Sequence, residues 1–81
     1  MYYVYVLKSL KDGKLYVGHT NDLARRFKEH NSGSEKSTKN RRPFKLVYYE
    51  GCNILMDAIN REKSLKTGFG RRYLKNRLSD I

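Results

Sequence analysis

Residues Tyr2 to Lys8, YYVYVLK, alternate bulky and β-branched side chains at period two, pause over SLKDG, and resume the alternation over Lys14 to His19, KLYVGH. A helix cannot present that period on one side, whereas successive residues of a strand point to opposite faces, so the stretch predicts a β-hairpin. Setting Tyr5 opposite Tyr16 brings Val4 to Val17 and Val6 to Leu15. The aliphatics then share one face, Tyr3, Tyr5, Tyr16 and Gly18 share the other, and Ser9 to Asp12 form the loop.

TNDLARRFKEHNSG follows and predicts a helix of about ten residues, with Thr20 or Asn21 as cap, Asp22 in the first turn and a stop over Asn31 to Gly33. Leu23 and Phe27 form its inward stripe, Arg26 and His30 lie along the edge of that stripe, and Arg25 and Lys28 face solvent. From Ser32 to Pro43 the chain is polar, basic and aperiodic, as in a loop. Phe44 to Glu50 predicts a third strand. Next comes a helix over Ile54 to Lys66, capped by Asn53 and ended near TGFG, where Gly68 and Gly70 break the period. A short last helix, RRYLKNRLSDI, offers Tyr73, Leu74, Leu78 and Ile81 for packing. The order β-β-α-β-α-α predicts an α+β fold, a three-stranded antiparallel sheet flanked by helices, in one domain over residues 1–81.

A chain of 81 residues has room for one small core. It opens directly on a strand pattern, without a secretory signal or a membrane-length apolar run, so a cytoplasmic setting is expected. Cys52 is the only cysteine, which excludes an internal disulfide and a cysteine zinc site and suits a core-filling role. Eighteen Lys and Arg against eight Asp and Glu give a formal net charge of +10. That excess favours a polyanionic partner, nucleic acid above all.

Inside the helix ILMDAINREKSLK, Ile54, Leu55, Ala58, Ile59 and Leu65 form one apolar arc at about 100° per residue, with Glu62 near its centre. A carboxylate aimed at a core costs several kcal/mol unless paired, so this position asks for a partner. A divalent cation would answer, and so would an Arg or Lys of the same chain. A lysine locked onto the carboxylate would remove the argument for a metal. If the tyrosine face and the inner edge of the first helix meet Glu62, then Tyr5, Tyr16, Arg26, His30 and Glu62 form one set. Such a set suits phosphodiester hydrolysis: a metal on Glu62, a guanidinium against phosphate charge, and phenol or imidazole for the proton of an attacking water. Each residue also has a plain alternative in packing, solvation or ordinary hydrogen bonding.

These residues resemble the GIY-YIG nuclease superfamily, in particular its compact single-domain branch of uncharacterised endonucleases, and are similar also to the nuclease domain of the excinuclease. The resemblance is carried by Tyr3-Val4-Tyr5, Tyr16-Val17-Gly18, Thr20, Asp22-Leu23, Arg26, His30, RRP, LVYYE, Ala58 and REKSLK, and covers nearly the whole chain. It implies a three-stranded antiparallel sheet flanked by helices. It further implies Tyr16 as activating phenol, Tyr5 as second phenol, Arg26 as phosphate-stabilising cation, Glu62 as ligand of Mg²⁺ or Mn²⁺, and His30 as a catalytic or supporting residue. Tyr3-Val4 stands where the family's first motif has Gly-Ile.

The expected activity is therefore metal-dependent cleavage of DNA, selective for shape rather than sequence, in repair or recombination. Lys36, Lys39, Arg41, Arg42, Arg71, Arg72, Lys75 and Arg77 would hold the phosphate backbone. The rival is a nucleic-acid-binding module on the same fold with weak or no catalysis, and behind it a protein-interaction domain with an acidic partner.

Overall fold

The computed structural model describes residues 1–79. Its elements are β1 (Tyr2–Ser9), β2 (Leu15–Thr20), α1 (Leu23–Ser32), a 3-10 turn (Lys39–Arg41), β3 (Phe44–Cys52), α2 (Leu55–Leu65) and α3 (Gly68–Arg77). The sheet is antiparallel in the order β2-β1-β3, so β1, with Val4 to Leu7 all buried, is the middle strand.

Alternation sorts the side chains into two cores. Val4, Val6 and Val17 pack with Ala58, Leu65 and Leu74 of α2 and α3, while Tyr5, Leu7 and Phe44 pack with Leu23 and Phe27 of α1. Each fully buried aliphatic contributes roughly 1.5–3 kcal/mol relative to exposure, and both faces of β1 draw on that term. The pairing differs from the expected one by two residues: Tyr5 lies opposite Gly18, Val6 opposite Val17 and Tyr16 opposite Leu7. A slip of two leaves every side chain on its own face, so hydrophobic sorting cannot detect it. Sterics can, because a Cβ on Gly18 would stand 2.5 Å from Tyr5 Oη, so only glycine leaves room for that ring. The hairpin loop accordingly runs over residues 10–14, with Gly13 at φ 73° and Ser9 Oγ accepting from the backbone N–H groups of Lys11 and Asp12.

On the other side of β1, Val6 faces Tyr48 and Leu7 faces Leu46. Val47 is the extra residue of this bulge, which is how both Val47 and Tyr48 come to pack toward α2 and α3.

The helix ends correct several expectations. Asp22, rather than Thr20 or Asn21, caps α1: its carboxylate accepts from Arg25 N at 3.1 Å. Gly33 closes the helix at φ 84°, donating to Glu29 O. Asn31 then uses its amide to bond both backbone groups of Phe44, at 3.1 and 2.7 Å, tying α1 to the start of β3. Asn53 does not cap α2; Ile54 holds the cap position without a side-chain bond. Gly68 and Gly70 lie in the first turn of α3 instead of beyond α2, because Thr67 Oγ1 accepts from Gly70 N and restarts the helix. Gly70 also touches the backbone of Leu65 so closely that a Cβ would collide with it. Tyr73, Leu74 and Leu78 pack as expected, and Ile81 lies outside the described residues. Of the apolar arc of α2, Ala58 and Leu65 are buried and Ile59 half-buried, while Ile54 and Leu55 are exposed. Cys52 is free and packs against the core. No helix among the described residues is long and apolar enough to cross a membrane.

Candidate active site

The tyrosine face of β1 and the inner face of α1 meet at a buried chain of polar groups. Tyr5 Oη lies 2.8 Å from His30 Nε2, and His30 Nδ1 lies 2.8 Å from Thr38 Oγ1. With its proton on Nδ1 the neutral ring donates to Thr38 Oγ1 and leaves Nε2 to accept from the Tyr5 phenol. His30 is fully buried, at the centre of the helix's inner face rather than along its edge. Burial, aided by the charge of Arg26, lowers its pKa, so it rests neutral. Burial likewise pushes the Tyr5 phenol up to about 12, although the Arg26 guanidinium beside it pulls the other way. Tyr16 is half-buried, its ring edge-on to His30 at 5.0 Å and tilted to Tyr5 at 6.4 Å.

Arg26 is held rather than loose. Nη1 bonds Glu29 at 3.1 Å and Nη2 bonds Glu35 at 2.8 Å. Burial opposes its charge, but the two carboxylates raise its pKa above the ordinary arginine value. Lowered in turn by Arg26, Glu35 stays ionised. Segment 35–41, expected as a plain loop, is thus folded onto α1 by Glu35 and Thr38.

Glu62 sits on the opposite side of the β2 edge. Its Oε1 is 2.6 Å from His19 Nδ1 and its Oε2 is 2.7 Å from Lys66 Nζ, with the side chain 18% exposed. Burial pushes this carboxyl up, yet Lys66 and His19 outweigh it and hold the pKa below the usual value. The expectation of an unpaired acid calling for a metal is therefore corrected: a lysine and a histidine of the same chain answer the desolvation cost. The charge of Glu62 nonetheless reaches Tyr5, where it adds to the upward shift. Tyr5, Tyr16, Arg26 and His30 thus lie together on the α1 face, whereas Glu62 lies apart from them beyond the strand and reaches Tyr5 only through its charge.

Glu62 brings few partners suited to a divalent cation. No group of three or more His, Cys, Asp or Glu is placed to hold a metal among the described residues, and no buried side-chain N or O there lacks a hydrogen-bond partner. A resident, protein-caged ion does not fit. Mg²⁺ with one carboxylate, several waters and a substrate phosphate does fit, because Lys66, on a side chain 52% exposed, can leave the carboxylate oxygen it holds.

The expected backbone-binding residues divide. Arg41 bonds Asp12 at 3.0 Å and Leu15 O at 3.5 Å, and Arg42 Nε bonds Lys39 O at 2.9 Å while its guanidinium covers Gly33. Arg77 lies over the Tyr73 ring at 5.5 Å. Lys36, Lys39, Arg71, Arg72 and Lys75 are exposed. Three contributors escaped sequence reasoning: His19, Glu35 and Thr38. His19 could have been found from strand parity, since it alternates with Gly18 and must face α2. Glu35 and Thr38 lie in an aperiodic stretch that carries no comparable signal.

Residues 1–77 match a family model described as the GIY-YIG catalytic domain. A UPF0213 protein of Staphylococcus saprophyticus is 41% identical over 75 residues, covering 91% of this chain and 90% of the relative. Another from Clostridium perfringens is 48% identical over 67 residues, covering 82% and 71%. The solution structure of a UPF0213 protein from Bacillus halodurans superposes with a TM-score of 0.55 at 37% identity, covering 91% of this chain and 82% of that one.

Proposed function

This chain belongs to the GIY-YIG catalytic-domain family, and from that premise we propose that it is a divalent-metal-dependent DNA endonuclease selective for DNA shape. A role in repair or recombination accords with that chemistry. The observation that carries the reading is the buried relay from Tyr5 through His30 to Thr38, set beside Arg26 and within reach of the Glu62 charge.

A phenol held near pKa 12 is a poor standing base, but it need not ionise in advance. When substrate binding opens the 1%-exposed Tyr5 side chain to the attacking water, its oxygen accepts the water's proton as phosphorus is attacked while its own proton passes to His30 Nε2. A P–O bond forms, the P–O bond to the leaving strand breaks, and His30 becomes the imidazolium. Burial and the charge of Arg26 oppose that protonation, and Glu35 and Glu29 offset part of the opposition. Family resemblance assigns the activating role to Tyr16; the hydrogen bond to His30 favours Tyr5 for the proton transfer and leaves half-exposed Tyr16 to position the water or phosphate. Arg26, fixed by two carboxylates, offers its remaining N–H groups to the phosphate. Glu62 would hold the divalent cation, which when bound supplies charge neutralisation at the phosphate and leaving oxygens. Lys36, Lys39, Arg71, Arg72 and Lys75 contact backbone phosphates.

Incubation with nicked, branched and supercoiled DNA in Mg²⁺ or Mn²⁺ tests the proposal. Wild type cuts, Glu62→Ala does not, and Tyr5→Phe lowers kcat by about 10²–10⁴-fold. Cleavage that survives both substitutions overturns it. A comparable loss in Tyr16→Phe with none in Tyr5→Phe returns the activating role to Tyr16. The Lys66 contact on Glu62 favours one second reading, a binding module without useful catalysis; its signature is salt-sensitive DNA binding with no cleavage in either metal.

A further inference from the structure

We infer that the outer edge of β2 and the first turns of α3 form a cradle for the phosphate backbone of the substrate strand on one flank of the cleaved bond. This rests on the nuclease reading for its starting point, Tyr16, and on independent geometry for the rest. Two cavities line up along that edge. One, of about 270 Å³, is lined by Leu15, Tyr16, Lys66, Arg71 and Leu74 among others. The other, of about 690 Å³, is lined by Gly13, Lys14, Leu15, Arg71 and Lys75. Both include Leu15 and Arg71, so they adjoin and together reach from Tyr16 to the hairpin turn.

The groove gathers several cations along one open edge. Arg26, Arg41 and Arg61 are each matched to a carboxylate. Among the described residues no ion pair engages the side chains of Lys14, Arg71 or Lys75. Arg71 and Lys75 are one helical turn apart, roughly 6 Å along α3, and project on the same side. Lys14 faces them across the groove, and Lys66 stands at the inner end, where it also touches Glu62. β2 has no neighbouring strand on its outer side, which leaves the groove open along its length. Half-buried Leu15 provides an apolar patch against which a sugar can pack, with Leu65 and Leu74 buried beneath it. From Tyr16 to Gly13 the start of β2 and the adjoining loop cover up to about 10 Å, enough for about two successive phosphates of one strand. An acidic peptide would meet the same cations, but continuity with Tyr16 favours a nucleic acid strand.

The salt dependence of binding tests the cradle without requiring cleavage. Fluorescence anisotropy with a labelled branched DNA, in EDTA, compares Lys14→Gln/Arg71→Gln/Lys75→Gln with the charge-matched Arg25→Gln/Lys28→Gln/Lys63→Gln. The groove variant should lose about 2 from the slope of log K against log[salt], at roughly 0.9 per phosphate contact, and the control variant less than 1. Equal losses in the two variants, or none in the groove variant, overturn the inference; retained circular dichroism and Tm exclude misfolding as the cause. On a substrate whose cut is mapped, neutral methylphosphonates at two successive positions on one flank should weaken wild-type binding and leave the groove variant indifferent. Symmetric weakening on both flanks overturns the one-sided path. One-sided binding without cleavage would sink the nuclease reading and keep the cradle, and cleavage with equal salt slopes would do the reverse.

Discussion

Tyr5 Oη stands 2.8 Å from His30 Nε2, a hydrogen bond that joins the middle strand to the first helix through the core. Both residues are essentially inaccessible at rest, at 1% and 0% exposure, so bulk water does not compete for this bond in the resting structure. The pair therefore ties the fold together, and the proposed chemistry gives its surroundings measurable consequences.

Thr38 is a positioning residue for His30. Thr38→Val keeps the volume but removes the acceptor for Nδ1–H, leaving a buried donor unpaired at about 1–3 kcal/mol and releasing the tautomer. We expect lower kcat with little change in KM, an altered pH–rate profile, and rescue by Thr38→Ser. A Thr38→Val enzyme with the wild-type pH profile removes the relay from the mechanism.

Acid should destabilise the fold through His30 before the carboxylates titrate. The folded pKa of His30 lies below its ordinary value of 6.5, so between the two the unfolded chain binds the extra proton. That contribution is fully present above pH 6.5 and is lost as pH falls below it. Urea unfolding at pH 7.5 and pH 5.5 should show a drop in wild type that shrinks in His30→Gln. An identical drop in both proteins excludes His30 as its source.

Lys66 competes with any cation at Glu62, to which its ammonium stands at 2.7 Å. Lys66→Ala is expected to tighten Mn²⁺ binding several-fold, read by electron paramagnetic resonance of free Mn²⁺, and Glu62→Ala to abolish it. Unchanged Mn²⁺ affinity in Lys66→Ala places the ion elsewhere.

Gly18→Ala forces a methyl group to within 2.5 Å of Tyr5 Oη. Overpacking of this kind costs typically 1–3 kcal/mol, and because the ring cannot retreat without leaving His30, activity should fall by more than stability explains. Adding Tyr5→Phe, which removes the hydroxyl, should recover part of the lost Tm and none of the cleavage. If Gly18→Ala melts and cuts like wild type, the close approach is not a constraint.

Much of the fold was legible because it rests on local periodicity. The alternation over Tyr2 to Lys8 and Lys14 to His19 identified two strands and sorted Val4, Val6 and Val17 from Tyr5 and Tyr16. The α1 and α2 patterns located helices whose caps were less legible: Asp22 displaced its neighbours as cap of α1, and Thr67 turned an expected stop into the start of α3. Capping depends on one residue's backbone angles, to which hydrophobic spacing is blind.

What the amino-acid order determined alone was the face each side chain occupies, because strand parity and helical period follow from backbone geometry whatever lies nearby. Tertiary structure decided which residues on those faces touch. It chose Gly18 rather than Tyr16 to oppose Tyr5, buried His30 against Thr38 across a stretch without periodicity, and gave Glu62 to His19 and Lys66. Such pairings come from steric fit and desolvation between segments distant in the chain, and these act only once the layers have closed.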